Sequence, residues 1–355
     1  MVTAEKSRID CRHIDVLDGI RAVSVIIVLI FHFWQQTWIF PVIKTPWLAF
    51  VGITKIDFSN FATVGYLFVD MMVLISGFLL FLPLMRSIIL GEEMSSWKNY
   101  ARRRIARIVP SYYFAVLLLF FASALPTGAY ATTADALKDL FAHLTFTQTL
   151  WVNTYIATPL DVVLWTVAIE VWFYVLFPFV AEFIKGPRNK NRQSFTPAYG
   201  IFFIFAVFNI INYVYTENFV LKGNVYLAMR INQFPAFLGV YSIGMLGASA
   251  FVLIAKNCRR SRIFNAVNTL FSVCSILLIV YLINDCVATQ ERQVWQVTER
   301  SKLAFVFMTF IITTALSSKW YRWLFSNKFM RFLSGISYNL YIWHQWLAVQ
   351  CKNTW

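Results

Sequence analysis

Nine apolar runs, most of them long enough to cross a hydrocarbon core roughly 30 Å thick, divide this chain at 17–40, 61–82, 108–125, 162–184, 198–214, 234–255, 263–283, 303–316 and 332–349. Lipid offers no partner to a bare peptide group, so spanning segments satisfy their backbone internally, as helices do. The chain therefore reads as an all-α polytopic transmembrane bundle of about nine spans, multi-pass in a cell membrane. Of its 355 residues 59% are apolar and 14% charged, which leaves no stretch for a soluble domain. A single integral-membrane domain over 1–355 is expected.

A net charge of +14 raises the question of nucleic acid, but the cations form no single patch. With the N-terminus placed in the cytoplasm, 22 of the 31 Lys and Arg fall in inner segments and 8 in outer ones. That asymmetry follows the positive-inside rule and explains the charge by topology, so no nucleic-acid partner is expected. Cys11, Cys258, Cys274, Cys286 and Cys351 lie in separate segments without a CxxC spacing. Neither a disulfide framework nor a metal site is read from them. The polar opening lacks a short apolar core with a small-residue cleavage site, so the first span is expected to be retained rather than removed as a signal peptide.

Within the first run stand Arg21 and His32. Both are costly in lipid and must face protein or a cavity. Eleven residues make close to three helical turns, which stacks the two side chains on one face about 16 Å apart. A fixed cation near one surface and an imidazole near mid-bilayer then look into one groove, a geometry suited to holding an anionic donor and moving a proton. The plainer alternatives are an arginine snorkelling from a helix end and a core histidine bonded between helices. Asp18, three residues before Arg21, could pair with it. Asp70 and Glu170 are acids inside apolar spans, a functional flag by default.

Five ordered segments carry a resemblance. Leu17-Asp18-Gly19-Ile20-Arg21-Ala22 followed by His32, Val69-Asp70 through Ser76-Gly77-Phe78-Leu79, Arg102-Arg103-Arg104 with Arg107, Pro110, Tyr112 and Tyr113, Leu164-Trp165 through Glu170 to Tyr174, and Ile336-Ser337-Tyr338 through Trp343-His344 together resemble the acyltransferase 3 family. Its members are membrane O-acyltransferases of bacterial surface polysaccharides. Departures from the family pattern are Phe68 for a usual Gly, Val171 and Trp172 for Glu and Gln, and Gln345-Trp346-Leu347 for a Trp-Pro ending. Family members usually have ten core helices with both termini inside. This chain stops eleven residues after His344, so a missing last helix is expected.

The resemblance implies an acyl transfer, acetyl from acetyl-CoA above all, to a hydroxyl of an extracytoplasmic carbohydrate or cell-wall glycan. His32 would be the general base or carry a transient acyl group, Arg21 would meet the donor, and Glu170 would orient His32 or the acceptor. Arg102, Arg103, Arg104 and Arg107 would bind the phosphates of coenzyme A, although stop-transfer arginines look the same. Ser76 and Gly77 suit close helix packing. Tyr112, Trp165 and Tyr174 suit either sugar stacking or a membrane interface, and His344 is a weaker candidate, with His13 and His143 behind it. The connection 126–161, with Asp135, Asp139, His143 and Asp161, is long enough to be an outer lid or acceptor platform as well as a plain link. Two other classes stay open: a transporter or flippase using the intramembrane charges as a proton relay, and an inactive, truncated member of the family.

Overall fold

The structure is a computed structural model and describes residues 9–12, 14–186, 197–222 and 226–354. Lys6, Arg8, His13, Arg188, Lys190 and Arg192 lie outside the described residues. In chain order the elements are α1 (Val16–Thr37), strands β1 (Val42–Lys44) and β2 (Lys55–Asp57), α2 (Ser59–Thr63), α3 (Leu67–Leu90), α4 (Trp97–Leu119), α5 (Thr133–Leu144), α6 (Val152–Tyr155) and α7 (Trp165–Lys185). They continue with α8 (Pro197–Tyr215), α9 (Leu227–Ile231), α10 (Phe234–Asn257), α11 (Arg262–Ala288), α12 (Arg292–Leu316), α13 (Lys319–Ser326) and α14 (Lys328–Thr354).

Among the described residues seven helices are long and apolar enough to cross a membrane, and eight if one bent pair counts as a span. The first seven apolar runs of the sequence each find their helix. The last two, 303–316 and 332–349, belong to Arg292–Leu316 and Lys319–Cys351, which meet at an angle of 116°. Helix α12 starts well ahead of its apolar run, so Arg292, Arg300 and Lys302, expected in an outer loop, are helical. The signal is in the spacing. Trp295, Gln296, Arg300, Leu303, Ala304, Phe307, Met308 and Ile311 are all buried and recur at three or four residues, as one helix face requires.

The chain forms two compact units. In one, Asp15–Met72 with Asn268–Trp355, α1 packs against α13, α14, α12 and α2. The contact with α13 is so close that a side chain at Gly19 would collide with the carbonyl of Phe325. Ser24 Oγ donates to Ile20 O at 2.8 Å. Between α11 and α12, Ser272 and Thr314 share a hydroxyl hydrogen bond of 2.6 Å. After Trp38 takes a left-handed conformation that ends α1, β1 and β2 pair antiparallel with Ile43 opposite Ile56.

The other unit is Met1–Ile14 with Val73–Val267. Helix α10 is buried over most of its length and packs on α8, which also meets α7. Small residues set its approach to α3: a Cβ at Gly77 would lie 2.8 Å from Tyr241 O, and one at Gly244 2.6 Å from Leu74 O. This is close packing by small residues of the kind expected in lipid. The 126–161 connection has structure of its own. Thr132 caps α5 by accepting from Asp135 N at 3.1 Å. Behind it Tyr130 OH and Thr158 Oγ1 donate to Asp139 Oδ2 at 2.8 and 2.7 Å, and burial pushes the Tyr130 phenol up.

Candidate active site

One uninterrupted helix, α1, carries Asp18, Arg21 and His32. Eleven residues of ideal helix separate the last two by about 16 Å along its axis and only about 20° around it. Arg21 and His32 are both half-buried. Asp18 accepts a hydrogen bond from Ser334 Oγ of α14 at 3.2 Å, which ties the two helices together near Arg21.

The His32 ring is held on several sides. Its Nδ1 lies 3.0 Å from Gln35 Oε1. An amide oxygen only accepts, so Nδ1 carries the proton and the Nε2 lone pair is left for a substrate. Phe31 meets the ring edge-on at 4.8 Å between centroids. His344, from α14, brings a second imidazole to 4.9 Å. The fifth sequence motif and the first thus meet at these two rings.

Asp70 is fully buried, and its partner is Arg300, whose Nε stands 3.3 Å from Asp70 Oδ2. Two paired charges removed from solvent attract strongly but carry a desolvation penalty of similar size. The sequence reading recognised the acid and missed the base.

In the other unit a polar chain surrounds Glu170. Its Oε1 accepts from Ser76 Oγ at 3.2 Å and from the Tyr174 hydroxyl one helical turn further on. Arg104 stacks its guanidinium over the Tyr174 ring at 4.9 Å and over Tyr100 at 5.6 Å. Tyr100 OH in turn donates to Tyr174 O at 3.1 Å. One arginine of the basic run is thereby joined through an aromatic ring to the intramembrane acid, while Arg102, Arg103 and Arg107 are exposed. Ser76 serves as a donor to Glu170 and Gly77 as the point of close packing.

Two further candidates have local duties. Tyr112 is fully buried; its hydroxyl donates to His143 O and accepts from Gln148 Nε2, each at 3.1 Å, so it anchors the 126–161 segment. Trp165 opens α7 and packs its ring 5.7 Å from that of Phe237. Of the residues that sequence reasoning passed over, Gln35, Tyr174 as a partner of Glu170, Tyr241 and Arg300 stand out. Tyr241 is buried with its hydroxyl unpaired among the described residues, and Tyr100, Tyr174, Arg104 and Glu170 are its charged and titratable neighbours.

Against known proteins, the family profile described as an acyltransferase domain, Acyl_transf_3, matches residues 14–351. The chain belongs to the acyltransferase 3 family. A provisionally named O-acetyltransferase of Staphylococcus aureus (strain COL) is 26% identical over 355 residues, covering 94% of this chain and 50% of the relative. A provisionally named acetyltransferase of Acidianus two-tailed virus is 25% identical over 261 residues, 70% of this chain and 65% of that protein. The O-acetyltransferase OatA of S. aureus (strain NCTC 8325 / PS 47) is 28% identical over 201 residues, 52% of this chain and 28% of OatA. The chain thus spans about half the length of the first of these relatives or, for OatA, matches a smaller share. No solved structure matches it. Acyltransferase 3 membership together with the apolar helices makes this a multi-pass membrane protein.

Proposed function

We propose that this chain is an O-acyltransferase of the cell membrane that takes an acyl group, acetyl above all, from cytoplasmic acyl-CoA and passes it to a hydroxyl of an extracytoplasmic carbohydrate or cell-wall glycan. The observation that carries the reading is α1, a helix within the matched acyltransferase region on which Arg21 and a half-buried His32 share one face. A base and a fixed cation on one rigid element suit a reaction in which a hydroxyl loses a proton while an acyl donor is held.

His32 Nε2 takes the proton of the acceptor hydroxyl as its oxygen attacks the thioester carbonyl. The tetrahedral intermediate collapses with cleavage of the carbon–sulfur bond, and the departing thiolate takes the proton from His32. An ester and a free thiol result. Gln35 fixes the ring so that Nε2, rather than Nδ1, is the nitrogen presented. Arg21 offers a planar five-donor fork for phosphate or carboxylate. Arg102, Arg103 and Arg107, exposed on α4, and Arg104 supply the charge that a diphosphate and a 3′-phosphate require. Glu170, bonded by Ser76 and Tyr174, acts as the organising acid behind Arg104.

The test is transfer of label from radiolabelled acetyl-CoA to purified glycan by the protein in proteoliposomes. Base-labile label in the glycan is expected. No transfer from any CoA thioester to any glycan acceptor would overturn the assignment. Mass spectrometry of surface glycan from cells with and without the gene should show a loss of acetyl mass units.

A further inference from the structure

His344 is buried, with 2% of its surface exposed, and yet it does not finish its hydrogen bonding. Its Nδ1 lies 2.6 Å from the carbonyl oxygen of Tyr341. A carbonyl can only accept, so Nδ1 holds the ring proton and Nε2 keeps its lone pair. That Nε2 is buried without a hydrogen-bond partner among the described residues. A buried acceptor left unmet costs free energy that a core histidine would ordinarily avoid by finding a donor. The neighbour on the adjacent helix is His32, 4.9 Å away between ring centroids, and its own Nδ1 is likewise occupied, by Gln35. Each ring therefore commits one nitrogen to a local acceptor and keeps the other as a base. Among the described residues His344 is the titratable group that acts on His32, and Tyr341, on the same helix as His344, lies 5.1 Å from it between ring centroids.

We propose that His344 is a positioning residue for the proton of the acyl transfer: its free Nε2 shares the proton that His32 removes from the acceptor hydroxyl, directly or through one water, until the thiolate of the donor takes it. The inference rests on the acyltransferase reading. The proton count closes, because the hydroxyl proton passes to the imidazole pair and ends on sulfur, with no other reactant needed. The half-buried His32 meets the substrate, while the buried His344 holds the proton out of contact with water during transfer. The arrangement also explains a second imidazole in a packed helical contact where an apolar side chain would fill the space more cheaply.

The test is the pH dependence of kcat for the full chain in proteoliposomes, with acetyl-CoA and glycan. If both rings must be neutral for turnover, the acid limb of the wild type falls with slope one as the pair takes its first, shared proton, at an apparent pKa that belongs to the pair and not to either ring. His344→Asn keeps a donor for the Tyr341 carbonyl and removes Nε2 with the outer edge of the ring. It should lower kcat roughly a hundredfold, leave KM for acetyl-CoA unchanged, and move the midpoint of the acid limb to lower pH, since a lone His32 holds its proton less tightly than the pair. A His344→Asn enzyme with wild-type kcat, or with an acid limb whose midpoint is unmoved, overturns the inference. A wild type that transfers no acyl group overturns the functional reading first, and this inference with it.

Discussion

Arg300 Nε stands 3.3 Å from Asp70 Oδ2, with 4% of the arginine side chain and none of the aspartate side chain exposed. The two charges join the start of α3 to the middle of α12, so the loss of one partner strands the other. Asp70→Leu or Arg300→Met alone should destabilise the protein by about 3–5 kcal/mol, whereas the double substitution, which removes both charges, should recover most of that. Thermal unfolding in detergent reads the difference, and single effects that simply add in the double variant would show that the pair is not coupled.

Removing His32 or its helix-mate Arg21 tests the proposed site. His32→Ala and Arg21→Ala should each abolish acyl transfer to glycan while expression and membrane insertion stay as in the wild type. Both side chains are half-buried, so neither truncation should collapse the packing of α1. Wild-type turnover in either variant contradicts the assignment.

Arg104 and Tyr174 separate binding from chemistry. Arg104→Ala loses the stacked cation, an interaction of about 1 kcal/mol, and, on the proposed reading, a contact to the donor's phosphates; KM for acetyl-CoA should rise at least fivefold. Tyr174→Phe keeps the ring beneath Arg104 and deletes only the hydroxyl that Glu170 accepts from. Its KM should stay within twofold of the wild type while kcat falls. Steady-state kinetics with acetyl-CoA as the varied substrate resolves the two patterns.

Donor binding also distinguishes an enzyme from a carrier. A ligand that binds only the folded protein stabilises it by about 2.7 kcal/mol at a hundredfold excess over Kd. Acetyl-CoA should therefore raise the melting temperature of the purified protein, and less so for Arg104→Ala. A transporter of lipid-linked saccharide would show no such shift.

Gly19 offers a test of the packing beneath the Arg21 motif. An added methyl would strike the Phe325 carbonyl, and backbone cannot step aside as a side-chain tip can. Gly19→Ala should destabilise by about 1–3 kcal/mol, in the range of overpacked cores. Chemical denaturation in detergent is the measurement; an unchanged midpoint would mean that α1 and α13 can part freely.

Much of the fold was legible because hydropathy reports burial in lipid directly, and α1, from Val16 to Thr37, matches the apolar run that contains Arg21 and His32 to within one residue at its start and three at its end. The run at 303–316 misled because hydropathy alone cannot see that a polar helical stretch ahead of it has a buried face. Arg300 looked like loop for that reason, although its spacing from Gln296, Leu303 and Ala304 is helical. The individual site residues were visible as misplaced charges and rings. Their partnerships were not: Glu170 with Ser76 crosses from α7 to α3, and His32 with His344 joins helices more than three hundred residues apart. Sequence order carries no record of such distances. The same holds for the 126–161 segment, whose acids were evident but whose Asp139 network depends on Thr158 arriving from the far side of the loop.

The sharp turn between α12 and α13 has an effect at a distance. Thr269 Oγ1 accepts from Ser318 N at 3.0 Å, which pins the corner, and the short helix that follows shows Trp320 and Trp323 outward, 68% and 61% exposed, while Tyr321 is 5% exposed. Indole rings displayed this way favour the headgroup level of a bilayer. Helix α14 follows the short helix, and the sixteen residues from Lys328 to His344, about 24 Å of helix, fix the distance from that corner to the imidazole. Were the indoles to sit at that level, a bilayer of different thickness would shift the contact of His32 and His344 along the normal as one piece, instead of stretching it.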